Sequence, residues 1–139
     1  MATPAQHVTL LKKAYRRWHA SKGKDTAVWL ELMADNVRVR SLAEGKPEAA
    51  FAIAVKSRRE FQQYFDHLTR DWEMVHYTMG TFIAQGNHVA MLGSTSWTNR
   101  RTGRRVDTMK ADFWTFRRGK AVEFTELYDT AALIAAATP

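Results

Sequence analysis

The chain has 139 residues, of which 45% are hydrophobic and 12% aromatic. This is enough for one domain with a substantial core, and too apolar for an intrinsically disordered protein. The absence of cysteine excludes disulfides, thiolate catalysis and cysteine-based zinc sites. We therefore expect a single domain over residues 1–139.

The net charge of +7 is concentrated in two segments. Residues 1–25 carry six basic and one acidic side chain, and residues 98–120 carry eight and two. The first set lies on a predicted helix, and the second surrounds the predicted hairpin turn RRTGRR. Most aromatic residues occupy apolar positions of periodic segments and would be buried, unable to stack on bases. We interpret the basic residues as solvated surface and expect no specific nucleic-acid partner.

Apolar runs give a prediction for cellular location. The first residues, MATPAQHVTLLKK, lack the long apolar run of a signal peptide. The longest apolar stretches, such as AAFAIAV, are too short to span a bilayer. We expect a cytoplasmic protein that does not bind a membrane.

The N-terminal segment predicts a capped amphipathic helix. Thr3 is a suitable N-cap, Pro4 suits the first helical position, and Gln6 can reach back to the cap. Gly23 is a natural end for the helix. Residues three and four apart form one apolar stripe, which consists of Val8, Leu11, Tyr15 and Trp18.

The next segments predict shorter elements. Asp25 or Thr26 would cap a second helix running to Ala34, followed by a strand over residues 37–42. Residues 43–56 fit either a loop and strand or a short helix. The sequence Ser57–Glu60 reads as a capping box. It would open a helix with one apolar face, made of Phe61, Tyr64, Phe65, Leu68 and Trp72.

From there to about Tyr128 the chain alternates between strand and turn patterns. Turns are predicted at residues 85–87, 101–103 and 118–120, each containing a glycine. The last residues, AALIAAATP, fit a short helix capped by Asp129 or a frayed tail. Helices followed by an antiparallel meander indicate an α+β fold. A curved sheet wrapped around three N-terminal helices would form a cone with a cavity at one end.

Period-two alternation assigns a face to each strand residue. We take the face with the bulkier side chains as the inward one. The inward sets are then Val89, Met91, Gly93, Thr95 and Trp97; Lys110, Asp112, Trp114 and Phe116; and Val122, Phe124, Glu126 and Tyr128. For residues 110–116 the opposite assignment stays open because Phe113 favours its own face. Leu92, Phe113 and Leu127 would lie outside, which predicts a homodimer through the outer sheet face.

Two long segments resemble a known family. The runs FIAQGNHVAMLGSTSW and TGRRVDTMKADFWTFRRGKAVEFTELYDTAAL are similar to the SnoaL-like polyketide cyclases. These belong to the nuclear transport factor 2-like and ketosteroid isomerase-like superfamily. The resemblance covers most of residues 74–135. It implies a cystatin-like α+β barrel with a curved, mixed or antiparallel sheet, one apolar pocket and frequent homodimers.

The resemblance also suggests roles for individual residues. Asp112 falls where ketosteroid isomerases hold a protonated aspartic acid in the oxyanion hole, although many SnoaL-like proteins have histidine there. Tyr15 lies near the position of the isomerase oxyanion tyrosine. The isomerase base would fall near Arg40 or Ser41, and neither is a carboxylate. The resemblance therefore argues against steroid isomerisation by that mechanism.

A second comparison within the superfamily is also incomplete. Limonene-epoxide hydrolases use an arginine and an aspartate on the first strand of the meander, and a later aspartate. The matching positions here are Gly93, Thr95 and Glu126. Only the last is an acid, so this activity is not expected.

Four residues are candidates for catalysis. Asp112 among apolar side chains could donate or relay a proton, or could be exposed or paired with Lys110 or an arginine. Glu126 could be a second titrating group, or could form a salt bridge to an arginine. Tyr15 could be a hydrogen-bond donor in the cavity or a core residue. His76 could carry a proton or lie at the surface.

The remaining expectations concern ligands. Trp97, Trp114, Phe124, Tyr128 and Met91 would form the wall that contacts a small apolar substrate. The five histidines show no paired ligand spacing, so we expect no metal and no cofactor. The sequence predicts a small-molecule pocket protein, such as a cofactor-independent isomerase, cyclase or lyase of the dehydratase type. The alternative is a non-catalytic ligand-binding or dimeric interaction module on the same fold.

Overall fold

A computed structural model describes residues 2–139. It confirms the predicted α+β class. The helices are α1 (Pro4–Ala20), α2 (Ala27–Leu32), α3 (Arg58–Asp71) and α4 (Thr130–Ala137). The strands are β1 (Met33–Ser41), β2 (Trp72–Gln85), β3 (His88–Asn99), β4 (Arg105–Arg117) and β5 (Lys120–Tyr128).

All five strands form one mixed sheet in the order β1-β5-β4-β3-β2. The strands β2 to β5 form an antiparallel meander, and β1 adds to β5 in parallel. The sheet is open, with β1 and β2 at its edges. None of the helices within residues 2–139 has the length and hydrophobicity needed to cross a lipid bilayer.

The first helix begins as the sequence predicts. The Thr3 hydroxyl accepts from the backbone N–H of Gln6, and the Gln6 side chain accepts from the backbone N–H of Thr3. After the helix, Gly23 has a positive φ of 80°, which explains the glycine. The stripe residues Leu11, Tyr15 and Trp18 are buried, so α1 packs its apolar face against the sheet.

Two predicted helix ends and one predicted capping box were wrong. Helix α2 ends at Leu32 rather than Ala34, because Met33 is extended and pairs with Ala121 on β5. Trp72 does not continue α3; it is extended, pairs with Asn99 and begins β2. The Ser57 capping box is incomplete, since the Glu60 carboxylate accepts from the backbone of Lys56 instead.

The ambiguous segment 43–56 is a loop made of turns. Its one regular contact is an antiparallel bridge between Val39 and Val55. Ala43, Phe51 and Ala52 are buried, so the loop covers one end of the core. The three predicted turns connect the strands of the meander, and Asp129 caps α4 by accepting from the backbone of Ala132.

Irregularities in β2 decide which of its side chains face inward. The pairing with β3 shifts between Met74 and His76, which leaves Val75 as an extra residue. A bulge reverses the alternation of faces. As a result Tyr77 is buried, whereas His76 pairs with Ser96 on the other face.

A second shift in β2 lies between Met79 and Thr81. The strands approach closely there: a Cβ atom on Gly80 would collide with the Leu92 carbonyl oxygen, and one on Gly93 with the Thr78 carbonyl oxygen. Glycine is therefore required at both positions. Together the two bulges let the long strand β2 bend with the curved sheet.

The predicted faces of the other strands hold with one exception. Lys110, Asp112, Trp114 and Phe116 are all buried, as are Phe124 and Glu126. Val122 was wrongly assigned to the inward set, because the pairing of β4 and β5 shifts after Thr115. Ala121 pairs with Phe116 and takes the fully buried position. Phe113 is 46% exposed, so the inward choice for β4 was correct.

Candidate active site

The inner face of the sheet and the helices enclose a cavity of about 70 Å³. All five tryptophans of the chain line it, namely Trp18, Trp29, Trp72, Trp97 and Trp114. All four tyrosines line it as well, namely Tyr15, Tyr64, Tyr77 and Tyr128. The wall is thus mostly aromatic, and polar groups enter it at a few defined points.

Three ionisable side chains lie together in this wall. Lys110 and Asp112 are two residues apart on β4 and therefore share its inner face. Glu126 is the direct cross-strand partner of Asp112 on β5. Their exposed side-chain fractions are 7%, 1% and 3%. We call Lys110, Asp112 and Glu126 the charge cluster.

Lys110 lies between the two acids. Its Nζ atom donates to Oδ1 of Asp112 and lies 3.0 Å from Oε1 of Glu126. It also lies 5.4 Å from the ring centre of Tyr77 and 5.6 Å from that of Phe124, at cation–π distance. Burial alone lowers the pKa of Lys110, but the two neighbouring carboxylates raise it above its ordinary value. Lys110 is therefore an ammonium ion.

Asp112 accepts three hydrogen bonds. The Tyr15 hydroxyl donates to Oδ2 at 2.6 Å and the Tyr77 hydroxyl donates to the same oxygen at 2.5 Å. Lys110 supplies the third donor, at Oδ1. The indole N–H of Trp114 donates to the Tyr15 oxygen at 3.0 Å and fixes that phenol in place. All partners of the Asp112 oxygens donate, which is the environment of a carboxylate.

Glu126 has a matching set of donors. The Tyr64 hydroxyl lies 2.8 Å and 2.9 Å from its two oxygens, and the Ser41 hydroxyl donates at 2.6 Å. The Tyr128 hydroxyl lies 2.6 Å from the Ser41 oxygen. Since the single Ser41 proton goes to Glu126, Tyr128 is the donor in the Tyr128–Ser41 pair. The chain Tyr128–Ser41–Glu126 therefore runs from the half-buried rim to the charge cluster.

The four phenols remain protonated at neutral pH. Burial raises the pKa of Tyr15 and Tyr77 well above the usual value, and the negative charge of Asp112 raises both further. The pKa values of Tyr64 and Tyr128 are raised as well, mainly by burial and in second place by the negative charge of Glu126. The cavity thus contains neutral hydroxyl donors beside two carboxylates and one ammonium ion.

The structure brings together most of the site residues expected from the sequence. Tyr15, Asp112 and Glu126 meet in one hydrogen-bonded network. The expected wall residues Trp97, Trp114, Phe124 and Tyr128 line the cavity.

Two of the expected site residues lie elsewhere. The His76 ring is on the outer face, where Nε2 lies 2.9 Å from the Ser96 oxygen and Nδ1 lies 3.1 Å from that of Thr78. The bulge at Val75 puts it there. Met91 is buried in the core beside the cavity and is not among the residues that line it.

Sequence reasoning missed several members of the network. Lys110 was assigned to the correct face, but only as an alternative partner that would make Asp112 structural. Tyr64 was identified as part of an apolar helix face, and Ser41 as a position lacking a carboxylate. No pattern indicated Tyr77, because the bulge at Val75 breaks the alternation. The hydroxyl groups on otherwise apolar faces were the available signal.

One fully buried donor in the cavity wall has no partner. The indole nitrogen of Trp72 is buried without a hydrogen bond, so a ligand or water acceptor would satisfy it. Among residues 2–139, no three histidine or acidic side chains are grouped in the way that a metal site requires.

Comparisons with known proteins identify the family to which this chain belongs. The family profile of the SnoaL-like domain matches residues 12–124. A search of curated proteins gives no match. A solved NTF2-like protein from Burkholderia thailandensis is 25% identical, with a TM-score of 0.81 and coverage of 100% of both chains.

Two more distant structures share the fold. TerC, co-crystallized with polyporic acid, has a TM-score of 0.78 at 20% identity, covering 97% of this chain and 98% of TerC. A protein with a ketosteroid isomerase-like fold from Catenulispora acidiphila, in complex with trimethylamine, has a TM-score of 0.72 at 13% identity. The match covers 91% of this chain and 98% of that protein. The profile match extends over most of the sequence, and the chain belongs to the SnoaL-like domain family.

Proposed function

We propose that the protein binds a compact, mostly apolar molecule in the aromatic cavity and performs cofactor-independent acid/base chemistry on it. The reaction class is that of an isomerase, cyclase or dehydratase. The observation that carries this proposal is the charge cluster in the cavity wall, where an ammonium ion and neutral phenols adjoin two buried carboxylates. Buried, converging ionisable groups in a cavity are a common feature of active sites.

The chemistry follows from the groups present. A carboxylate, Asp112 or Glu126, would accept a proton from carbon or oxygen of the substrate. Tyr15 or Tyr77 would donate a hydrogen bond to the oxygen on which negative charge develops, and the Lys110 charge would stabilise it. The Ser41–Tyr128 hydroxyl pair would carry the proton that Glu126 accepts to the rim, which restores the carboxylate.

Two structural relatives have been crystallised with small molecules. TerC was co-crystallized with polyporic acid, and the Catenulispora protein was crystallised in complex with trimethylamine. Both ligands belong to those proteins, and the low identities support only a shared fold. The small volume of the cavity here favours the more compact of the two kinds of ligand.

A hydrogen-exchange experiment tests the catalytic proposal without knowledge of the natural substrate. Small ketones are incubated with the protein in D2O, and loss of the α-proton signal is followed by ¹H NMR. We expect exchange above the buffer rate with the wild type, and roughly hundredfold slower exchange with Asp112→Asn, the lower end of the usual range for loss of an acid/base group. Exchange that equals the buffer rate for a panel of compact ketones would contradict it.

A non-catalytic binding module is the second candidate, and one observation favours it. The oxygens of both carboxylates are fully engaged by donors from the protein itself, as in a network that mainly holds the cavity in shape. Ligand binding without proton exchange, in the experiment above, would support this alternative.

The outer face of the sheet supports a proposed homodimer. Leu92, Ala111 and Leu127 are direct neighbours across β3, β4 and β5, and Phe113 lies on the same face. Leu92 and Phe113 are each 46% exposed and Leu127 is 37% exposed. A second copy of the chain would cover this apolar patch.

A further inference from the structure

The charge cluster holds one more negative than positive charge. Lys110 contributes one ammonium, and Asp112 and Glu126 contribute two carboxylates whose partners all donate hydrogen bonds. Among the cavity-lining residues, all within residues 2–139, these three are the only ones with charged side chains. The interior therefore carries an uncompensated negative charge away from water, which is costly unless a further positive charge arrives.

The rest of the wall suits a cation. Tryptophan is the aromatic side chain with the strongest cation–π attraction, and all five tryptophans of the chain line the cavity. Lys110 already makes such contacts with the rings of Tyr77 and Phe124. An aromatic enclosure with a negative end is the chemistry by which proteins recognise alkylated ammonium groups.

The size of the cavity limits the ligand further. Its volume of about 70 Å³ is roughly half of the ~150 Å³ of an engineered cavity that accommodates benzene. A ligand of about four or five heavy atoms is therefore the natural match.

We propose that the cavity selects a compact alkylammonium cation, or a molecule whose buried part is one, over neutral and anionic molecules of similar size. This inference rests on the proposed function, because it specifies the charge of the ligand for that same cavity. An anionic ligand would add to the surplus negative charge, and a neutral one would leave it uncompensated.

The test compares three probes of equal heavy-atom count at constant ionic strength. Tetramethylammonium chloride, tert-butanol and sodium propionate are titrated into the protein, and binding is followed by tryptophan fluorescence and calorimetry. We expect the cation to bind about tenfold more tightly than tert-butanol, as cation–π and charge attraction predict, and propionate to bind most weakly.

Two variants test whether the preference for a cation depends on Glu126. Glu126→Gln removes the surplus charge while keeping the side-chain shape, and should abolish the preference for the cation. Glu123→Gln removes one charge from the exposed side of the same strand, and should leave the preference unchanged. If Glu126→Gln fails to fold, Asp112→Asn replaces it, and the wild-type comparison of the three probes stands without any variant.

The outcomes separate this inference from the proposed function. Equal or tighter binding of tert-butanol would overturn the cation preference and leave the ligand cavity in place. A cation preference that persists in Glu126→Gln would also overturn it, because the charge would then lie elsewhere. Absence of binding by all three probes would overturn both the inference and the ligand cavity on which the proposed function depends.

Discussion

The Nζ atom of Lys110 lies 3.0 Å from Oε1 of Glu126, its diagonal neighbour on the adjacent strand. The same atom donates to Asp112 on its own strand. One cation therefore holds two carboxylates together that would otherwise repel each other in a medium of low dielectric. This contact explains how Asp112 and Glu126 can both be buried as direct cross-strand partners.

The first prediction concerns the stability of charge-cluster variants. Lys110→Met leaves two facing carboxylates without their cation and should lower the free energy of unfolding by about 3–5 kcal/mol at neutral pH. Glu126→Gln retains the Lys110–Asp112 pair and should cost less than half as much. Urea denaturation of both variants measures the difference. Equal losses for the two substitutions would contradict the position of Lys110 as the shared cation.

The loss of stability caused by Lys110→Met should also depend on pH, in a direction that can be predicted. Protonation of either acid would remove the repulsion between the two unpaired carboxylates of this variant. The stability gap between this variant and the wild type should therefore narrow as the pH falls. A gap that stays constant between pH 7 and pH 4 would indicate that lost packing, not charge, causes the destabilisation.

The tyrosines give a second prediction, at alkaline pH. The pKa of each tyrosine is raised in the folded protein, so the protonated phenols contribute to the free energy of unfolding. This contribution is fully present below the unfolded pKa of about 10 and is lost as the pH rises above it. The folded protein should show no tyrosinate absorbance at about pH 10–11. In denaturant, all four should titrate near their usual value.

This titration also tests the network itself. Because every tyrosine of the chain belongs to it, no exposed phenol adds a background signal. Tyrosinate that forms near pH 10 while circular dichroism still reports a folded chain would place at least one phenol outside the buried network.

The outer sheet face gives a third prediction. Phe113→Lys places a charge in the centre of the exposed apolar patch and should shift the protein from dimer to monomer in sedimentation experiments. The side chain is 46% exposed, so the fold should tolerate the change. Thr115→Lys, two residues along the same face and nearer the β4–β5 turn, is a control that should weaken the dimer less. A wild-type protein that is monomeric at high concentration would contradict the proposed homodimer.

The sequence predicted the outline of the fold because local signals agreed with the tertiary structure. The cap at Thr3, the stripe through Tyr15 and Trp18, and the glycine-containing turns each required only nearby residues. Alternation, together with the choice of the bulkier face as the inward one, assigns Asp112 and Glu126 to the inner face, and the structure buries both.

The parts of the fold and of the candidate site that were not predicted depend on contacts that the alternation of side chains does not reveal. The bulge residues Val75 and Val122 shift the alternation of faces in β2 and β5. His76 therefore lies outside and Tyr77 inside. Lys110 was visible on the inner face, but its role comes from two acids, one of which lies on another strand. A bulge changes the alternation by one residue without leaving a mark in the hydrophobic pattern.

The central claim is that Lys110 is a buried ammonium ion shared by Asp112 and Glu126. Measuring the ionisation state of Lys110 tests this claim most directly. Nitrogen-15 NMR of selectively labelled lysine, with Lys110→Arg used to assign the signal, reports whether its side chain is an ammonium or a neutral amine. Since the two carboxylates raise the pKa of Lys110, its signal should remain that of an ammonium when the exposed lysines have begun to titrate near pH 10. Deprotonation of Lys110 before those exposed lysines would contradict the account.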